Sequence, residues 1–141
     1  PPMNVLPVLV GPSQTLMLGE RRLNMEGPLA DALGPLEGQQ LSGGIRAEQL
    51  RVAPATNRNL PAEVSHSEVL GNEQLITCRL LDGNHLVQVR AEPRLDAVAG
   101  AVIHLEADPR GWRLFDQQGS AINPPAASRL NDAEPLLPEL S

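Results

Sequence analysis

The sequence has no lysine. All 11 basic residues are arginine. It has no tyrosine, one tryptophan (Trp112), one phenylalanine (Phe115) and one cysteine (Cys78). Each absence removes a class of chemistry. Without lysine there is no G-x-x-x-x-G-K phosphate loop and no Schiff-base enzyme. Two rings close together in sequence cannot build a stacking platform for single-stranded bases. A single cysteine excludes an internal disulfide. No apolar run approaches the 18 residues that a membrane span needs. The net charge of −6 disfavours nonspecific binding to nucleic acid.

What is present is a chain of 141 residues rich in proline and glycine, 14 and 12 respectively. That length suits one domain, or two small subdomains sharing one core. The chain opens on Pro1-Pro2-Met3-Asn4, with neither an initiator Met nor a signal-peptide pattern. This start suggests a piece of a longer protein.

Short apolar stretches separated by turn signals dominate the chain. Met3–Val10 reads as an edge strand or strand entry, because Pro7 interrupts it. Thr15–Asn24 reads as a hairpin broken at Gly19-Glu20. Pro28–Leu36 is the one convincing helical stretch, opened by Pro28 and stopped by Gly34-Pro35. Strands are expected over Gln39–Arg46, Leu50–Ala53 and Ala62–Leu70. Gln74–Leu81 and His85–Ala91 flank the turn Asp82-Gly83-Asn84 and alternate cleanly, with Ile76, Cys78, Leu80, Val87 and Val89 on one face. Val102–Leu105 and Trp112–Phe115 complete the set, and Asp116–Gly119 is a turn. The expected class is all-β, an OB-like barrel of short antiparallel strands with one short helix. The expected division is a domain over residues 1–122 and a Pro/Ala-rich tail over 123–141. In the tail, Leu130, Leu136, Leu137 and Leu140 are candidate anchors.

No catalytic constellation emerges. His66, His85 and His104 carry no metal-ligand spacing. His85 reads as exposed, Cys78 as a core residue, and Phe115 as core with Leu114. The carboxylates are scattered, and no serine lies in a G-x-S-x-G elbow. Gly43-Gly44 is too short for a phosphate loop. Trp112 reads as core or core rim, or, beside Arg110 and Arg113, as an interface anchor.

Four stretches, in order, carry a resemblance. Pro1-Pro2-Met3-Asn4-Val5-Leu6 is similar to the junction that follows the nucleotide-binding domain in ATPase subunits of sugar-importing ABC transporters. Gly44-Ile45-Arg46-Ala47-Glu48-Gln49-Leu50 resembles that family's GIRPEHL, with Ala47 in place of Pro and Gln49 in place of His. Val64–Leu75 resembles its V..vE.LG.E.L, and Leu114-Phe115-Asp116 with Gly119 its LFD..TG. Together they resemble the C-terminal regulatory (TOBE or OB-like) domain of the maltose-importer class.

The resemblance implies a non-catalytic module that pairs with its twin as a homodimer. It implies cytoplasmic placement at the inner face of the cell membrane, reached through the transporter's membrane subunits and without direct insertion. A regulatory protein is a further implied partner, and nucleic acid is not. No cofactor is expected in this stretch, because ATP and Mg would belong to the upstream domain. Motif or interface candidates are Arg46, Glu48, Gly71, Glu73, Trp112, Phe115 and Asp116. Two other readings compete. One is a sensor of an oxyanion or another small solute, using arginines and backbone N–H groups. The weaker one is a nucleic-acid-binding OB-fold.

Overall fold

A computed structural model of the chain describes residues 3–125. Ten strands form two five-stranded antiparallel sheets. The first sheet holds β1 (Met3–Gly11), β2 (Thr15–Leu18), β3 (Arg21–Asn24), β4 (Gln40–Arg46) and β10 (Arg113–Phe115), in the order β10-β4-β1-β2-β3. The second holds β5 (Leu50–Ala53), β6 (Leu60–Leu70), β7 (Glu73–Leu80), β8 (Leu86–Ala91) and β9 (Val102–Ala107), in the order β5-β9-β6-β7-β8. The expected all-β, OB-like class is what the chain adopts. No helix among the described residues is long and apolar enough to cross a membrane. The candidate tail anchors Leu130, Leu136, Leu137 and Leu140 lie outside the described residues, as do Pro1 and Pro2.

Period-two alternation builds the core. Leu6, Val8 and Val10 of β1 are buried, while Val5, Pro7 and Leu9 between them are exposed. Ile76, Cys78 and Leu80 face Val87 and Val89 as the alternation requires, and all five are at most 2% exposed. One apolar cluster joins both sheets, from Leu6, Leu16 and Leu41 to Val64, Ile76 and Leu105.

Four expectations need correction. Met3–Val10 is not an edge strand. It pairs with β4 from Met3 to Leu9, and with β2 through Leu9–Gly11. Pro7 is tolerated because β2 does not reach it. Val10 donates toward the β4 side, to Gln39 O at 2.9 Å. Three residues earlier the backbone faces the other way, so the missing Pro7 N–H falls on an open edge. The stretch Pro28–Leu36 is not an α-helix but two 3₁₀ turns, Pro28–Ala32 and Gly34–Leu36. Its bonds run three residues back, for example Leu33 N to Ala30 O at 3.1 Å. Two proline-opened turns are too short to sustain α-helical pairing. His85 is half-buried, beside Gly83. Phe115 is also half-buried. It sits on the face opposite Leu114, which takes the core position.

Buried polar groups tie the sheets together. Asn4, 8% exposed, lies in β1 of the first sheet. Its amide donates to Gln88 O at 2.9 Å and accepts from Gln88 N at 2.8 Å, in β8 of the second sheet. The side chain thus mimics a peptide group in a strand ladder. Arg21 makes a second tie across the sheets. Its Nε donates to Asp82 Oδ2 at 3.0 Å, in the turn between β7 and β8. Removing the Asn4 amide leaves two backbone groups of Gln88 without their partner. Asn4→Ala should therefore lower the unfolding free energy by about 1–3 kcal/mol, read from urea denaturation with an unchanged m-value.

Cys78 is fully buried, and burial pushes its thiol up to about 11 from an ordinary 9.0. The unfolded chain loses this proton near 9.0 and the folded chain near 11. Across that window the unfolded state binds fewer protons, so stability falls as pH rises through it. At pH 8, iodoacetamide should label Cys78 slowly in the native chain and rapidly in urea. A Cys78→Ala chain should lose the stability decline between pH 9 and pH 11.

Candidate functional site

An open cleft of about 810 Å³ lies where the ends of the two sheets meet. Arg22 and Asn24 of β3 and the following Glu26 form one wall. Glu48, Gln49 and Arg51, at the start of β5, form another. The loop Asn57-Arg58-Asn59, the exit of β9 (Glu106 to Pro109) and Trp112 close it.

Each wall is held by a specific contact. Arg46 N donates to Gln49 Oε1 at 3.0 Å, which locks the 3₁₀ turn Ala47–Gln49. The Gln49 carbonyl accepts from Asp108 N at 2.9 Å, joining that turn to the exit of β9. Glu26 N donates to Pro109 O at 3.0 Å and brings the end of β3 against the same segment. The loop before β6 is closed by Asn59 Nδ2 donating to Pro54 O at 2.7 Å. Arg21 Nη1 holds it from the other sheet through Asn57 O at 3.0 Å. The Arg58 side chain is therefore presented by a loop braced on two sides.

The charges in the cleft are mixed. Arg51 is ion-paired with Glu106 across the β5–β9 ladder. The guanidinium groups of Arg22 and Arg58 are exposed and make no ion pair or hydrogen bond with the described residues. Glu26 and Glu48 are also exposed, and Asp108 accepts from Arg110 N at 2.9 Å.

Trp112 is the unusual member. It is 4% exposed, and its indole N–H is the buried side-chain polar group among the described residues with no partner. Buried indole N–H groups ordinarily find an acceptor. The opposite edge of the ring, Cε3 and Cζ3, lies on Gly43, where an added Cβ would sit 3.2 Å from both atoms. The N–H edge is thus the one turned away from β4. Gly44 faces the other side of the sheet, where the Met3 side chain lies against it and Phe115 is farther off. Gly43 thus admits the indole and Gly44 the Met3 thioether, from opposite faces.

Of the seven motif candidates, the cleft gathers Glu48 and Trp112, with Arg46 bracing the turn between β4 and β5. The others lie elsewhere. Gly71 takes the positive-φ position in the β6–β7 turn, and the Glu73 carboxylate bonds Arg90 Nε at 3.2 Å. Phe115 lies on the outer face of the first sheet. Asp116 is a turn residue whose Oδ1 accepts from Gln118 N and Ser120 N, both at 2.9 Å. The burial of Trp112 places it at the core rim. Sequence reasoning missed Arg22, Arg58 and the asparagines. The available signal was the Arg-Arg-Leu-Asn alternation of β3, which sends Arg22 outward with no carboxylate opposite. Among the described residues no three His, Cys, Asp or Glu side chains gather as a metal site would require.

The cleft is thus lined by polar planar side chains where the two OB-like sheets meet. The sequence matches the TOBE domain family profile over residues 43–115, just over half of the chain, so the chain belongs to that family. Among solved structures it is similar to the cytoplasmic molybdate-binding protein ModG, in a crystal form with molybdate bound. The match has a TM-score of 0.64 at 15% identity, and covers 80% of this chain and 95% of that one. A search of curated proteins gives no match.

Gly43→Ala should push the indole off its seat. We expect a shift in tryptophan emission and a loss of about 1–3 kcal/mol, as for other overpacked sites. An unchanged emission spectrum would mean that the ring is not seated on β4.

Proposed function

We propose that the chain is a non-catalytic binding module that takes a small oxyanion in the cleft between its sheets. The observation that carries this reading is the gathering of unsatisfied donors. Arg22 and Arg58 have no internal partner, and the Trp112 N–H has no acceptor. Arginine forks fit the paired oxygens of an oxyanion, and charge-assisted bonds are the strong ones. The similarity to a molybdate-binding protein supports the same class of ligand. Glu26 and Glu48 line the same cleft and oppose an anion, so they limit affinity and select against the most highly charged species.

Calorimetry with molybdate, sulfate and phosphate tests this reading. Saturable binding of at least one is expected. Arg22→Ala and Arg58→Ala should each weaken it by about tenfold or more. Glu26→Gln and Glu48→Gln should strengthen it. Trp112→Phe removes the N–H together with part of the indole, so it should weaken binding while leaving a small cavity that costs about 1–2 kcal/mol of stability. Silence toward all three anions removes the reading.

A second reading is the regulatory and dimerisation domain of a sugar-type importer ATPase subunit, at the inner face of the membrane. One specific observation favours it. Met3 to Val5 of the junction-like start pair residue by residue with Gly44 to Arg46 of the GIRAEQL stretch. The other two similar stretches, Val64–Leu75 and the one beginning Leu114-Phe115, fall in or overlap the family match. Under this reading a catalytic domain, with the lysine this chain lacks, lies upstream. A coding sequence without a phosphate loop upstream would reject it.

A further inference from the structure

The cleft has two chemically different ends. Arg22, Asn24 and Glu26 take alternate positions along β3 and its exit, and all three are exposed. Between them, Leu23 is buried and Met25 packs against the core. The wall they form therefore changes from a guanidinium to a carboxylate over about 13 Å of extended backbone.

The facing segments repeat that order. Arg21, next to Arg22, donates from Nη1 to Asn57 O at 3.0 Å and so holds the loop that carries Arg58 at the same end. Glu26 N donates to Pro109 O at 3.0 Å, and Asp108 N donates to Gln49 O at 2.9 Å. Those bonds set Glu26 and Glu48, the neighbour of Gln49, beside the consecutive residues Asp108 and Pro109. Arg22 and Arg58 gather at one end of the cleft, Glu26 and Glu48 at the other.

Other charged groups of the cleft are already engaged. Arg51 pairs with Glu106, and Asp108 Oδ1 accepts from Arg110 N. The Glu26 and Glu48 carboxylates, like the Arg22 and Arg58 guanidiniums, have no partner among the described residues. A purely anionic ligand uses the two arginines and is repelled by the two glutamates. The glutamates gain a role only with a ligand that brings a hydrogen-bond donor to their end, and a charged donor bonds a carboxylate more strongly than a neutral one. The volume agrees, since about 810 Å³ is space for an organic molecule rather than for a single tetrahedral ion. Trp112, 4% exposed and with its N–H unpaired, lines the same space, so the cleft also holds a sheltered donor that awaits an acceptor.

We propose that the ligand of the cleft is a small zwitterion, an organic oxyanion that carries a primary amine. Its oxyanion lies at the Arg22 and Arg58 end, and its ammonium group at the Glu26 and Glu48 end. This assignment rests on the oxyanion reading above and adds the other half of the ligand.

Phosphoethanolamine and ethyl phosphate are the deciding probes, because they differ by the amine alone. Calorimetry on the full chain should find phosphoethanolamine bound about tenfold more tightly, the gain of one charge-assisted contact. Glu26→Gln and Glu48→Gln should each shrink that preference, and the double variant should abolish it. The same substitutions should strengthen the binding of ethyl phosphate, from which they remove only repulsion. Arg58→Ala should weaken both ligands and leave their ratio unchanged. Equal affinity of the unaltered chain for the two probes overturns the zwitterion and leaves the oxyanion reading standing. A preference that survives in the double variant also overturns it. So does tighter binding of glycerol phosphate than of phosphoethanolamine, which gives the glutamate end to hydroxyl groups. No binding of any oxyanion, organic or inorganic, overturns the oxyanion reading and this assignment with it.

Discussion

The two hydrogen bonds between the Asn4 amide and the Gln88 backbone fix how the two sheets sit against each other. Apolar packing brings sheets together but is nondirectional, and aliphatic side chains tolerate sliding. This core is built largely of Leu, Val and Ile, with Trp112 as its one aromatic. Directional contacts across the sheets therefore carry the alignment. Asn4 to Gln88 is one, and Arg21 to Asp82 is another. Both are partly sheltered from water, where a hydrogen bond is worth more and its loss costs more. The cleft depends on this alignment. Its β3 wall belongs to one sheet, and its β5 and β9 walls to the other. A shift of one sheet changes the width of the cleft before it changes the core.

The scarcity of aromatics has a structural counterpart in the two adjacent glycines of β4. Consecutive residues of a strand face opposite sides. Gly43 therefore receives Trp112 from within, and Gly44 receives the Met3 side chain from without. A strand normally loses stability at each glycine. Here the loss is offset by close contacts, the indole at Gly43 and the Met3 thioether at Gly44, that a Cβ would obstruct. The same arrangement turns the indole N–H away from the sheet. In that direction no described residue supplies an acceptor.

How much of this was legible depends on the range over which each feature is encoded. The β7–β8 hairpin was readable because alternation and turn lie within one stretch, Gln74 to Ala91. The centrality of β1 was not, because Pro7 signals an edge. Whether that edge is the whole strand or one residue depends on where β2 ends. The Pro28–Leu36 stretch carried helix punctuation at both ends, yet Pro35 and Gly34 sit so close that only 3₁₀ turns fit. The cleft was the least legible feature. Its lining comes from five separate segments, and Arg22 and Arg58 are 36 positions apart with no shared motif. Glu48 and Trp112 were singled out, but for other reasons. Asn4 stood inside a quoted junction without any sign that its side chain, rather than its backbone, does the pairing.

A buried donor without an acceptor costs about 1–3 kcal/mol, a substantial part of the stability of a domain this size. An apolar side chain at this position would carry no such cost, since it has no polar hydrogen to satisfy. Local rules are broken most often where a function holds them broken. The orphaned Trp112 N–H is such a break, in a molecule whose other buried polar side chains (Asn4, Thr15, Asn59 and Gln74) are each bonded. On the proposed reading, an acceptor arriving from solution would recover that cost on binding, in addition to whatever Arg22 and Arg58 contribute. Because it would bind the folded state alone, it would also draw the folding equilibrium toward that state. The same contact would then select the ligand and brace the two sheets that Asn4 aligns.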